Sequence, residues 1–255
     1  MLILSCLAFV LVAVSVKFLN FNHVPAVGYS IVASENPSTA RMPLVVVLHG
    51  SGGNGDEFRT VSGFDNLARD FGFIAVFPSG SDGSWDAGNC CSSEKKDDVS
   101  MIKNIINNVK LQYKVDDSRV FVVGFSNGGM MAYRVACELS DVVTGVGSVS
   151  GTLGIQDCNP LYPVSVFHAH GVDDTIVPFH GGKGDADGDV VFSSVDSTID
   201  VFKERQDCKI STSNMWDCKN ETAVELEVKN GSHGWFENIE GEMYSFLYSH
   251  PRTIV

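Results

Sequence analysis

Short runs of β-branched and aromatic residues alternate along this chain with longer amphipathic stretches. Pro43–Leu48, Phe73–Phe77, Arg119–Val123, Val143–Val149 and Val164–His170 read as buried strands, because each is rich in β-branched and aromatic residues and stops close to a Gly or Pro. Ala223–Val228 alternates polar and apolar positions, as a half-exposed strand does, and Tyr29–Ala33 is a weaker first strand. Between them, Val99, Ile102, Ile106, Val109 and Tyr113 recur at close to helical spacing and predict a helix over Asp97–Tyr113. Further helices are expected over Asp56–Asp70, Gly129–Cys137, Val195–Gln206 and Glu240–Ser249. Strands that alternate with helices predict an α/β fold, a mainly parallel central sheet flanked by helices on both faces. The stretch between Val149 and Val164 is too short for a helical cap domain, so any site at that rim is expected to be open.

One strand-to-helix junction carries a chemical signature. Gly124-Phe125-Ser126-Asn127-Gly128 follows the Arg119–Val123 strand and leads into the Gly129–Cys137 helix. Strand, Gly-x-Ser-x-Gly and helix is the context of a nucleophile elbow, which holds a serine hydroxyl above a sheet. A serine needs a base, and the base needs an acid to orient it. Asp174 stands just past the Val164–His170 strand, and His233 lies in the glycine-flanked loop after the Ala223–Val228 strand. Ser126, Asp174 and His233 thus follow the order of nucleophile, acid and base found in α/β-hydrolases. Asp173 is the rival acid. His168 and His170, on or at the end of a buried strand, read as core histidines. The oxyanion hole is expected from backbone N–H groups of Ser51 or Gly52, in the glycine-rich loop after Leu48, and of Asn127 after the nucleophile.

Composition narrows the setting. The chain has 255 residues, 44% hydrophobic and 19% charged, enough for one large core. Its net charge of −13 and its lack of a basic cluster argue against nucleic-acid binding. Residues 1–22 carry an apolar run, Met1–Val16, and read as a signal peptide, or as a membrane anchor if retained. Residues 23–255 read as the catalytic domain. Six cysteines follow that segment, an even number that suggests disulfides in a secreted protein. Cys208 and Cys218 would staple a short polar segment. Cys90 and Cys91 are expected to reach Cys137 and Cys158, in either pairing. Without a Cys-x-x-Cys pair, no metal site is expected. The acidic run Asp185, Asp187, Asp189 reads as a solvated turn. Trp85, in the loop after the Phe73–Phe77 strand, and Trp235, just past His233, are candidate platforms for substrate.

Several motifs together resemble one family. They are Leu48-His-Gly-Ser-Gly-Gly53, Gly83-Ser-Trp-Asp-Ala-Gly-Asn-Cys-Cys91, Asp97-Asp-Val99, Gly124-Phe-Ser-Asn-Gly-Gly-Met130, Ala136-Cys-Glu-Leu-Ser140, His170-Gly-Val-Asp-Asp-Thr-Ile-Val-Pro178 and Ser232-His-Gly234. As a set they resemble the polyhydroxybutyrate depolymerase and feruloyl esterase group of α/β-hydrolases, carbohydrate esterase family 1 in the broad sense. The resemblance implies the α/β-hydrolase fold and a secreted carboxylic-ester hydrolase that needs no cofactor, with Ser126, Asp174 and His233 as its triad. The implied partner is a small or oligomeric ester, since no polymer-binding module is visible. A serine peptidase on the same fold, or a silent binding protein on a hydrolase scaffold, are the alternatives.

Overall fold

The computed structural model describes residues 28–33, 40–92, 95–185 and 189–253. The N-terminal segment, Cys6 and Asp187 lie outside them. In chain order the elements are β1 (Tyr29–Val32), β2 (Met42–Leu48), α1 (Gly55–Ser62), α2 (Phe64–Phe71), β3 (Ile74–Pro78), α3 (Asp98–Gln112), β4 (Val115–Phe125), α4 (Asn127–Glu138), β5 (Gly145–Val149) and β6 (Ser165–Gly171). There follow β7 (Gly182–Lys183), β8 (Val191–Phe192), α5 (Val195–Arg205), β9 (Lys209–Ile210), β10 (Met215–Asp217), β11 (Ala223–Lys229) and α6 (Ile239–Ser249).

Nine strands form one sheet in the order β1-β3-β2-β4-β5-β6-β11-β10-β9. The central six pair in parallel, while β1 closes one edge and β10 and β9 the other in antiparallel fashion. Side chains alternate across a pleated strand. Leu44, Val46 and Leu48 of β2 therefore enter one apolar layer with Ile102, Met130, Tyr133 and Phe202, from α3, α4 and α5. Val45 and Val47 enter the opposite layer with Phe58, Phe64, Met243 and Leu247, from α1, α2 and α6. Burial on both faces explains why the strands read as unbroken apolar runs. Residues 151–164, between β5 and β6, form no helix or strand, as expected of a fold without a cap.

The structure departs from expectation in several places. The helix expected over Asp56–Asp70 is two helices, because Gly63, with left-handed backbone, ends α1 and begins α2. Strand β4 begins four residues early, at Val115, through polar Asp116–Arg119 that an apolar criterion passes over. Strands β7 to β10 are two or three residues long and mostly exposed, too short to leave a pattern.

The cysteine pairing is also corrected. Cys137, at the end of α4, bonds Cys158 in the β5–β6 connection, with the Cα atoms 4.9 Å apart. Cys90 and Cys91 do not reach them; they bond each other. Their loop is held elsewhere, by the Asn89 N–H on the Gly154 carbonyl and the Asn89 amide on the Val191 carbonyl. Cys208 and Cys218 are joined as expected and close the β9–β10 hairpin.

Cys137 and Cys158 lie 21 residues apart, so their bond removes conformational freedom chiefly from the unfolded chain. The double variant Cys137→Ser/Cys158→Ser is expected to lose about 3 kcal/mol of stability. Urea unfolding against the parent protein checks this.

Candidate active site

The β4–α4 junction makes a tight turn. Ser126 sits there at φ 52° and ψ −119°, a region that residues with a side chain rarely occupy. Its N–H donates to the Val149 carbonyl at 2.8 Å, which fixes it beside the end of β5. The two flanking glycines are needed for space. A Cβ on Gly124 would lie 2.3 Å from the Gly128 carbonyl oxygen, and one on Gly128 would lie 2.4 Å from that of His49. The elbow can form only if α4 presses this closely on β4 and on the end of β2.

Asp174 and His233 meet at the same rim. The Asp174 carboxylate accepts the Ile176 and Val177 N–H groups on Oδ1, at 2.9 and 2.8 Å. On Oδ2 it accepts His233 Nδ1–H at 2.8 Å. Burial alone would raise its pKa. Hydrogen bonds from His170, His233 and the Val177 N–H outweigh burial and hold the carboxyl well below the usual carboxylate range. Asp173, the rival acid, is exposed, and its N–H donates to the Gly231 carbonyl. The His233 ring packs against Phe125, the residue before Ser126, with centroids 5.1 Å apart. Its side chain keeps 16% exposure, against none for that of Asp174. The Ser126 hydroxyl makes no hydrogen bond to another described residue.

The expected oxyanion donors are refined. The Gly52 N–H donates to the Gly83 carbonyl at 2.8 Å, so Gly52 is spent on the loop itself. The amides of Ser51 and Asn127 donate to no described group, and Asn127 is the first residue of α4, where helix N–H groups lack internal partners. Trp85, expected to carry substrate, is fully buried. Its indole Nε1–H donates to the His49 carbonyl at 2.8 Å. Its backbone N–H and carbonyl pair with the side-chain amide of Asn127, at 2.7 and 3.0 Å. Trp85 therefore ties the loop after β2 to the start of α4, and its polar groups are all engaged inside the protein.

Other groups here were beyond a sequence reading. His49 is buried and accepts the Gly80 N–H on Nε2 at 2.9 Å, so its proton sits on Nδ1 and donates to the Gly50 carbonyl at 2.7 Å. Ser150, buried at φ 54°, brackets Gly234: its hydroxyl lies 3.2 Å from the Gly234 carbonyl and 3.5 Å from the Gly234 nitrogen. No pattern in the residues around Ser150 flags it, because a serine after a strand is common. The motif Asp97-Asp-Val99 acts as a clamp. Asp97 caps α3, and buried Asp98 accepts the Asp86 N–H at 2.7 Å; Asp86 in turn pairs with Arg134 of α4. Trp235 is partly buried, edge-on to Phe58 at 5.3 Å and to Phe125 at 6.4 Å, beneath the His233 loop.

The chain is similar to known esterases. Residues 27–178 match the family described as Esterase PHB depolymerase. Over 144 residues the chain is 28% identical to the bifunctional acetylxylan esterase/xylanase XynS20E of Neocallimastix patriciarum, covering 56% of this chain and 21% of that protein. It is 28% identical over 149 residues to feruloyl esterase B of Piromyces equi, covering 55% of this chain and 27% of that protein. The chain thus spans only about a quarter of the length of these relatives. Among solved structures, the acetyl xylan esterase from Aspergillus awamori superposes with a TM-score of 0.66 at 16% identity, over 88% of this chain and 94% of that one. This likeness shows the α/β-hydrolase fold.

Two expectations follow for stability. Gly128→Ala forces a methyl group into the carbonyls of Leu48 and His49, and is expected to cost at least about 2 kcal/mol in urea unfolding. Burial holds the imidazoles of His49 and His168 below the ordinary histidine range, and the His170 ring beside His168 adds to its effect. Unfolded, both histidines take up protons as pH falls through about 6.5, whereas in the folded protein they do so only at lower pH, so their stabilisation is full above about 6.5 and is lost as pH falls toward their folded pKa values. Glu225, pushed up to about 7 chiefly by burial and then by Glu227, acts in the opposite sense over the same window. With two histidines opposing one glutamate, stability is expected to fall as pH drops from about 7 to about 5. Unfolding at pH 7 and pH 5 measures it; equal stability at both would contradict it.

Proposed function

Because this chain belongs to the esterase PHB depolymerase family, we propose that it is a secreted serine carboxylic-ester hydrolase whose triad is Ser126, His233 and Asp174. The observation that carries this reading is the 2.8 Å bond from His233 to buried Asp174 at the rim where the strained Ser126 elbow stands. Asp174 occupies Nδ1, which leaves Nε2 as the nitrogen available to the serine hydroxyl. Ser126 Oγ attacks the ester carbonyl while His233 takes its proton. The Ser51 and Asn127 N–H groups hold the developing oxyanion, each contributing about 3 kcal/mol. The imidazolium then protonates the leaving alkoxide, and water releases the acyl-enzyme by the same route in reverse.

The substrate class follows from openness and kinship. The β5–β6 connection places no helix over the rim, and Ser126 and His233 are only partly buried, which suits a bulky or oligomeric ester. Relatives named as feruloyl and acetylxylan esterases point to acyl groups on sugars, and the family description to hydroxyalkanoate oligomers. Phe125 and Trp235 supply an apolar wall for the acyl group. Three disulfides favour an oxidising compartment and support secretion.

Ser126→Ala is expected to lower hydrolysis of a p-nitrophenyl acyl ester by roughly 10⁴- to 10⁶-fold with unfolding unchanged, and to abolish labelling by a fluorophosphonate. Undiminished hydrolysis by that variant would refute the assignment.

A further inference from the structure

Behind Asp174 stands a file of buried titratable side chains that the proposed chemistry does not use. Tyr133 of α4 and His168 and His170 of β6 are all fully buried. Tyr133 Oη lies 2.6 Å from His168 Nδ1, and His168 Nε2 lies 3.1 Å from His170 Nδ1. His170 Nε2 in turn lies 3.1 Å from Asp174 Oδ2 and 2.8 Å from the Val177 carbonyl.

The last contact fixes every proton in the file. A carboxylate and a carbonyl can only accept, so His170 Nε2 carries a hydrogen. A neutral His170 then accepts at Nδ1, which requires His168 to donate from Nε2. His168 is left accepting at Nδ1, and Tyr133 O–H donates to it. All three side chains are neutral and satisfied in this arrangement, as a buried site requires. Burial pushes the Tyr133 hydroxyl well above its ordinary range and the His168 imidazole well below its own, with His170 adding to the latter. The opposite polarity would bury an imidazolium at His170 and leave the Tyr133 hydrogen without an acceptor. The file therefore runs one way, Tyr133 to His168 to His170 to Asp174, and hydrogen bonds aligned head to tail strengthen one another.

We infer that His170 is a positioning residue for Asp174: its Nε2–H bonds the Val177 carbonyl at 2.8 Å and also faces Oδ2, with Nε2 3.1 Å from it, beside His233, and the Tyr133–His168 pair behind it keeps that hydrogen on Nε2. The inference rests on the placing of Asp174 in the triad. Two donors on one oxygen hold the carboxylate in the rotamer that meets His233. They also divide its charge, so His170 tempers how strongly Asp174 supports the His233 imidazolium. The groups that face His170 are His168 on its own strand, Asp174 in the turn that follows, Phe179 beyond it, and Val228 opposite on β11. Tyr133 reaches it through His168, and His233 through Asp174.

The test compares His170→Phe, His170→Gln and Tyr133→Phe in the full chain. His170→Phe keeps a planar ring and removes the donor. It should lower kcat for a p-nitrophenyl ester by roughly 10- to 100-fold with little change in KM. It should also move the acid limb of kcat/KM up by roughly half a pH unit, because the carboxylate keeps more charge for the imidazolium. His170→Gln, which can donate from a similar place, should recover most of both effects. Tyr133→Phe should shift the limb the same way by less. An acid limb that stays in place in all three variants would show a packing role only and overturn the inference. If His170→Phe does not fold, an unmoved limb in Tyr133→Phe overturns it equally. A second readout needs no substrate: the downfield proton resonance of His233 Nδ1–H should move further downfield in His170→Phe, and a fixed resonance refutes the inference. Active Ser126→Ala would instead defeat the triad assignment, while this resonance still reports on His170.

Discussion

Helix α4 can approach β2 and β4 only because the backbone of Gly128 replaces a side chain against the carbonyls of Leu48 and His49, with Gly124 clearing the other side. That contact sets the height of Ser126 above the sheet and brings the first turn of α4 level with the loop after β2. The Asn127 amide and the Trp85 backbone then lock the two segments together, and the Trp85 indole reaches across to the His49 carbonyl. Precision at this rim comes from backbone meeting backbone, with side chains serving as cross-ties. Sites built on such rigid elements hold their groups more closely than sites on loops.

The same economy governs the acid and base. Asp174 receives two N–H groups from its own turn, one ring nitrogen from the loop after β11 and another from β6. These donors come from three different stretches of chain, so the carboxylate acts as a hub for the carboxyl ends of the strands. Ser150 does similar service for the neighbouring backbone, since its hydroxyl grips both polar groups of Gly234 beside His233.

Much of this was legible in the sequence because both faces of the sheet are covered. A strand buried on both sides is largely apolar, so the central stretches of β2 through β6 announce themselves, and the turns that follow them mark the rim. Ser126, Asp174 and His233 could be proposed from order and context alone, and the structure brings His233 onto Asp174. What could not be read depends on contacts distant in sequence. Trp85 was a candidate platform because its loop lies at the same sheet edge as the elbow, yet its indole hydrogen bonds 36 positions back. Gly52 and Ser51 were indistinguishable until Gly83 claimed one of their amides. His170 looked like ordinary core, and burial was indeed correct; its bond to Asp174 appears only once the turn folds back on the strand. Cys90 and Cys91 gave no sign that they bond each other.

The outer margins of the sheet carry a different consequence. One border strand, β9, has two residues, one of them Lys209, and it is pinned by the Cys208–Cys218 bond. The other, β1, has four. Among the described residues these two borders are short, and the lysine on β9 adds charge, so they offer a second molecule little template for adding a strand.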